Sequence, residues 1–331
     1  MNHDLPNRRT FLRGAAAGVA MAPLLGAGIA LASERSAEIA DAAQTDDIPI
    51  IDAHIHQWDL TKYPTPWVMG NPVLQKNYLL QDLKDQASGT GLVGMVHVQA
   101  AWAPEYSQME ADFVANQAAY DAFVKGVVAY APLEYGEGVR TYLASLVTRG
   151  LVVKGIRRIL QGESDPAFGL KPDFIRGVQI LPEYGLSFDL LVKGAAQTDS
   201  AIEIVRQCPN VRIVLDHLLK PNVDKREFEP WATQMTKLAS FPNVMAKISG
   251  LVTEDIPGSW SPVDLKPYVD HAIKVFGADR LIYGGDWPPV LMQTSYANWI
   301  TTAKDLTSSL GPDGQRKFFA DNARRFYRLA E

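Results

Sequence analysis

The chain has 331 residues, 47% hydrophobic and 21% charged, a balance that excludes a largely disordered or fibrous polypeptide and allows a sizeable core. Lys and Arg number 32 against 37 Asp and Glu, a formal net charge of −5 with no long basic run, which speaks against nucleic acid as a partner. The single cysteine, Cys208, excludes an intrachain disulfide and any CxxC metal or redox site; lying between Val205 and Pro209, it reads as a small buried apolar residue near a helix end.

Residues 1–42 differ from the rest. Arg8 and Arg9, followed by Phe11 and Leu12, precede an uncharged Ala, Gly and Leu-rich stretch from Gly14 to Ser33. Paired arginines before a moderately apolar segment are the pattern of a twin-arginine-type export signal, with Ala40-Asp41-Ala42 as a cleavage region. The expectation is a periplasmic mature chain from residue 43 that meets the membrane only during export. A retained anchor is the competing reading, weakened by the many Gly and Ala residues and by Pro23. Without use of the leader the protein would stay cytoplasmic.

After residue 43, short apolar runs alternate with longer amphipathic ones. The strand-like runs are Ile48–His54, Leu92–Gln99, Val124–Ala131, Leu151–Ile159, Gly185–Val192, Val211–Leu218, Val244–Gly250 and Arg280–Gly285. Helical stretches are expected at Tyr78–Ala87, Glu105–Phe123, Gly138–Thr148, Asp173–Leu181, Asp199–Gln207, Phe228–Ser240 and Val263–Phe276. A loop over Tyr296–Thr302 and a last helix over Gly311–Tyr327 complete the chain. Strands too apolar to face water on one side, each followed by a helix, point to one (β/α)8 TIM barrel over 43–331. An open doubly wound sheet is less consistent, since no GxGxxG loop follows the first strand. The Pro, Trp and Tyr-rich stretch from Gln57 to Asn77 reads as a first βα loop folded over the barrel mouth.

In such a barrel, chemistry sits where strands end. Four of the five histidines after residue 43 fall there, at His54, His56, His97 and His217, and only His271 does not. His54 and His56, two apart on a strand, place both imidazoles on one face, suited to zinc or to a hydrogen-bonded pair without metal. Asp286 ends the last strand, which closes against the first, so its carboxylate can ligate a metal or take a proton from water. His217 shares a face with Val211, Ile213 and Leu215 and should point inward; Asp216 should then point outward in a structural role. Arg157, in phase with Val153 and Gly155, is the better inward cation, with Arg158 and Lys247 as further contacts for a carboxylate or sulfonate. An internal ion pair is the alternative for these cations. Ser249, on the face of Lys247, together with Gln99 and Trp58, completes the expected substrate-binding set. Trp58, Trp67, Trp102 and Trp287 all lie near strand ends, where packing competes with recognition.

The segments Ile51-Asp52-Ala53-His54-Ile55-His56, Gly155-Ile156-Arg157, Val214-Leu215-Asp216-His217, Lys247-Ile248-Ser249-Gly250 and Tyr283-Gly284-Gly285-Asp286-Trp287-Pro288 resemble the amidohydrolase-related family of the metal-dependent hydrolase superfamily. The branch resembled contains 2-pyrone-4,6-dicarboxylate lactonase, fuconolactonase and 4-sulfomuconolactone hydrolase. The resemblance implies hydrolysis of a small anionic lactone such as a muconolactone. It carries metal-site or catalytic roles onto His54, His56, His217 and Asp286, and anion recognition onto the Arg157 region. It implies one Zn2+ at most, since Asp189 stands where metal-dependent relatives place a further histidine and Lys154 faces away; some members work without metal. A decarboxylase on the same barrel and a non-catalytic periplasmic solute-binding protein are the rivals. A homodimer is compatible with a barrel of this size.

Overall fold

The computed structural model describes residues 48–150, 152–254 and 260–330. The leader expected at residues 1–42 lies outside the described residues. Each apolar run becomes a strand: β1 Ile50–Ile55, β2 Leu92–Val98, β3 Val124–Ala129, β4 Val153–Arg157, β5 Ser187–Leu190, β6 Ile213–Leu215, β7 Val244–Ile248 and β8 Leu281–Tyr283. All neighbouring strands pair in parallel, in chain order, as a (β/α)8 barrel requires. The seam closes just beyond β8, where Ile55 bridges to Trp287. There the Asp286 N–H donates to the His54 carbonyl at 2.9 Å, and the His56 N–H to the Trp287 carbonyl at 2.8 Å.

The helices are α1 Leu80–Gln86, α2 Ser107–Tyr120, α3 Val139–Val147, α4 Pro172–Ile180, α5 Ala195–Gln207, α6 Trp231–Ala239, α7 Pro262–Phe276 and α8 Tyr296–Leu306. α9 Gly311–Arg316 runs through a π turn, Lys317–Asp321, into α10 Asn322–Tyr327. The loop expected over Tyr296–Thr302 is therefore corrected to a helix. Ser295 caps it, its hydroxyl accepting from the Asn298 N–H at 3.1 Å. Tyr296, Trp299, Ile300 and Ala303 bury a stripe at helical spacing. Cys208 ends α5 and is buried, which pushes its thiol up to about 12 and leaves it inert.

The core has two shells. The larger fills the space between strands and helices, with Ile50, Phe188, Ile213 and Leu215 among its members. The smaller lies inside the barrel, where Ile51, Val96, Val128, Val214, Met245 and Ile282 meet Ala323 and Phe326 of α10. That helix closes the N-terminal end of the barrel: Lys154, near the start of β4, donates to the Arg328 carbonyl at 3.0 Å.

Candidate active site at the C-terminal end of the barrel

β1 does not hold one phase. Ile51 and Ala53 belong to the inner shell, while Asp52 faces away. The pairing with β2 then slips by one residue, from Asp52 opposite Met95 to Ile55 opposite His97. This bulge turns His54 and His56 inward, as the sequence predicted, although strict alternation from Ile51 would have turned them out. The outward Asp52 carboxylate accepts the His54 N–H at 2.8 Å, the Gly285 N–H at 2.9 Å and the Tyr296 hydroxyl at 2.6 Å. It ties the bulge to the segment that carries Asp286. Burial pushes this carboxyl up to about 7 against those hydrogen bonds.

Asp286 sits three residues beyond β8 in a left-handed conformation (φ 50°). Its Oδ1 lies 3.4 Å from His56 Nε2, 3.9 Å from His54 Nε2 and 4.0 Å from His217 Nε2. Chain ends 230 positions apart thus share one cluster, as the closed barrel requires. Gly250 (φ 61°) makes room for it: a Cβ there would lie 2.5 Å from His217 Nδ1 and 2.8 Å from Asp286 Oδ2.

The β6 phase is a correction. Val214 faces the inner shell, whereas Ile213 and Leu215 pack against the helices, so Asp216 points inward rather than outward. It contacts Arg157 at 3.2 Å, Lys247 at 2.9 Å and His54 Nδ1 at 3.4 Å. His217 still reaches the site, but for another reason. From His217 to Lys220, four consecutive residues adopt positive φ, between 49° and 56°. The left-handed turn swings the imidazole back over the barrel, with Nδ1 2.8 Å from the Ser249 hydroxyl. Such a run of non-glycine residues is strained, and strain of this kind concentrates at functional sites.

A cavity of about 350 Å³ opens above these groups, lined by His56, His217, Asp286 and Arg157. Several expected substrate contacts stand behind its wall instead. Arg158 faces away, pairing with Glu134 at 3.1 Å and Glu163 at 2.6 Å, because alternation puts it opposite Arg157. Lys247 is fully buried one layer down against Asp189 and Asp216, and Ser249 is spent on His217. Gln99 contributes its carbonyl to Arg157, while its side chain accepts from the Ala101 N–H. Trp58 is buried edge-on to Trp67 and Tyr78, and Trp67 is the tryptophan that reaches the cavity. His97 faces out to Glu110 of α2 at 2.9 Å, tying strand to helix. The wall also includes Gln161, Lys220, Thr253 and Met292, which sequence reasoning did not single out. All four lie beyond the strand ends in loops or short 3₁₀ turns, where no periodicity indicates direction; only Lys220, three residues after His217, carried a positional hint.

Burial dominates the imidazole equilibria. It holds His54 and His56 well below the usual histidine range and pushes His217 down to about 4, so all three are neutral at neutral pH. Neutral imidazoles can ligate. His56 commits its Nδ1 to the Val98 carbonyl at 2.7 Å, which leaves the Nε2 lone pair facing Asp286. One donor atom each from His54, His56 and Asp286 lie within 4.8 Å of one another. Two ligands about 2.0–2.1 Å from a tetrahedral zinc ion stand roughly 3.4 Å apart, so His56, Asp286 and, slightly wider, His54 could hold a metal, with His217 at the edge of the set. His54 fits less directly, because Arg157 lies 3.1 Å from its Nε2 and would have to give way.

The family profile described as amidohydrolase matches residues 51–329. The chain belongs to the amidohydrolase family. Two curated relatives, the L-fucono-1,5-lactonases of Burkholderia ambifaria and Burkholderia multivorans, are each 30% identical to it. The first match covers 84% of this chain and 95% of the relative, the second 85% and 96%. A solved amidohydrolase from Burkholderia multivorans with bound zinc is 30% identical, has a TM-score of 0.76, and is covered completely by 85% of this chain. The (β/α)8 barrel is thus the fold of this amidohydrolase family, and a buried His, His and Asp cluster lies at its strand ends.

Proposed function

We propose that this amidohydrolase opens the ring of a small lactone bearing a carboxylate, sulfonate or several hydroxyls. The observation that carries the reading is Asp286: a carboxylate at the cavity floor, 3.4 Å from an imidazole Nε2 and flanked by two more imidazoles. The fuconolactonase relatives, similar over nearly their whole length, support a cyclic ester as the substrate class.

Asp286 takes a proton from water as the water oxygen attacks the lactone carbonyl. His217, its Nδ1 accepting from the Ser249 hydroxyl and its Nε2–H turned to the cavity, steadies the charge that develops on the carbonyl oxygen, in a site that burial has made poorly hydrated. The ring C–O bond breaks, and Asp286 returns its proton to the departing oxygen, giving the open hydroxy acid. Arg157, at the cavity wall, binds an anionic or hydroxylated substituent through its planar fork. His54, His56 and Asp286, with His217 beside them, would hold a zinc ion, which would supply Lewis-acid polarisation and a more acidic water. The zinc-bound relative supports such an ion here.

The test is Asp286→Asn assayed on a panel of sugar and aromatic-derived lactones. Turnover should fall by about a thousandfold or more with the far-UV spectrum and melting temperature nearly unchanged. A variant as active as the parent removes the proposed base. A parent that opens no lactone on the panel removes the substrate class.

A further inference from the structure

Directly beneath the imidazoles lies a charged group to which the reaction above assigns no step. The Lys247 ammonium is fully buried, 2.6 Å from Asp189 Oδ2, 2.9 Å from Asp216 Oδ1 and 3.3 Å from His54 Nδ1. Asp189 is held from below as well: the Tyr327 hydroxyl, at the end of α10, donates to the same Oδ2 at 2.6 Å, and its ring centre lies 5.5 Å from the ammonium. Burying a lysine and two carboxylates without solvent is costly, and an apolar filling of similar volume would often stabilise as well. A cluster of this kind at the edge of a site calls for a role beyond holding the barrel together.

The tautomer of His54 supplies one. A neutral imidazole has one N–H and one lone pair. Arg157, which only donates, lies 3.1 Å from Nε2, so Nε2 is the acceptor and Nδ1 carries the hydrogen. The acceptor beside Nδ1 is Asp216 Oδ1 at 3.4 Å, an oxygen that the Lys247 ammonium approaches from the other side at 2.9 Å. The ammonium cannot donate to a protonated Nδ1; it holds Asp216 where that N–H needs it. We propose that Lys247, braced by Asp189 and Tyr327, is a positioning residue that fixes His54 as the Nδ1–H tautomer, with its Nε2 lone pair turned toward Asp286 and Arg157. The kinetic side of this proposal rests on the lactone-opening reading; the tautomer side does not.

The experiment pairs Lys247→Met with Asp189→Asn, which removes one charge of each sign and leaves the core balanced. Imidazole 15N shifts, with His54 assigned through His54→Gln, read the tautomer in parent and variant. The parent should show Nδ1–H, and the double variant a mixture or the opposite form. Its kcat on a lactone that the parent opens should fall about a hundredfold with KM changed less than about threefold, the scale expected when a site group is misplaced. A folded double variant that keeps the Nδ1–H form and a kcat within about threefold of the parent overturns the proposal, since Lys247 is then charge ballast. Should the double variant not fold, Tyr327→Phe removes only the hydroxyl bracing Asp189. A partial shift of the 15N signals supports the proposal, and an unchanged tautomer and kcat overturn it. A parent inactive on lactones defeats the function assigned above and leaves the 15N result to decide this one.

Discussion

On β6 the inner face reads Val214 then Asp216, on β7 Met245, Lys247 and Ser249, and on β8 Ile282, Gly284 and then Asp286 beyond the strand end. Two residues advance a strand by about 6.7 Å, so one step along the same face separates an apolar layer from a charged one. The lower layer is closed by Ala323 and Phe326 of α10 and is filled with aliphatic side chains. The upper layer holds Arg157, Lys247, Asp189 and Asp216, with His54, His56, His217 and Asp286 around them, nearly all shielded from solvent. The comparison teaches that the barrel interior is apolar where it only has to be filled. It becomes polar in the final step, where every charge must be matched by another, and each match fixes the direction of a group at the cavity.

That contrast can be broken at either layer. After Asp286→Asn, the largest effect on activity is expected from Gly250→Ala: the new Cβ meets the His217 ring and the Asp286 carboxylate, in a backbone conformation that disfavours a side chain. We expect kcat to fall by about a hundredfold or more with a melting temperature only a few degrees lower, read by kinetics and calorimetry on one sample. An active Gly250→Ala enzyme would mean that the cluster is looser than its distances suggest. The lower layer should behave in the opposite way. Ile51→Ala leaves a cavity among Val96, Val128 and Ile282 and should cost about 2–5 kcal/mol in urea unfolding, with kcat within about twofold. A large loss of kcat at unchanged stability would erase the distinction between the layers. The smallest effect is expected at Arg158, whose partners Glu134 and Glu163 are partly exposed: Arg158→Ala should cost about 1 kcal/mol or less and leave KM unchanged. A tenfold rise in KM would return this arginine to the substrate.

The sequence made some of this legible and hid the rest for identifiable reasons. The barrel was readable because eight apolar runs too hydrophobic for a half-exposed sheet alternate with helices, and parallel order follows from that. Arg157 was readable from its spacing with Gly155, although β4 slips by one residue against β3 between Val153 and Gly155, so that Val153 packs on the outer face with Ile156. Asp216 was misplaced because β6 is only three residues long, so extrapolating its face from Val211 chose the wrong parity. His97 drew attention as a strand-end histidine, yet alternation with Val96 and Val98 sends it to the helix layer.

What the sequence determined by itself was the set of elements, their order and the placement of three histidines and an aspartate at strand ends, because hydrophobic periodicity is a local property of the chain. What only the tertiary structure decided was which way those groups point. A one-residue bulge in β1, a left-handed run after β6 and the ion pairs around Lys247 set those directions. Each depends on partners distant in the chain, and no local pattern encodes a balance struck between a lysine, two carboxylates and an imidazole brought together by closure of the barrel.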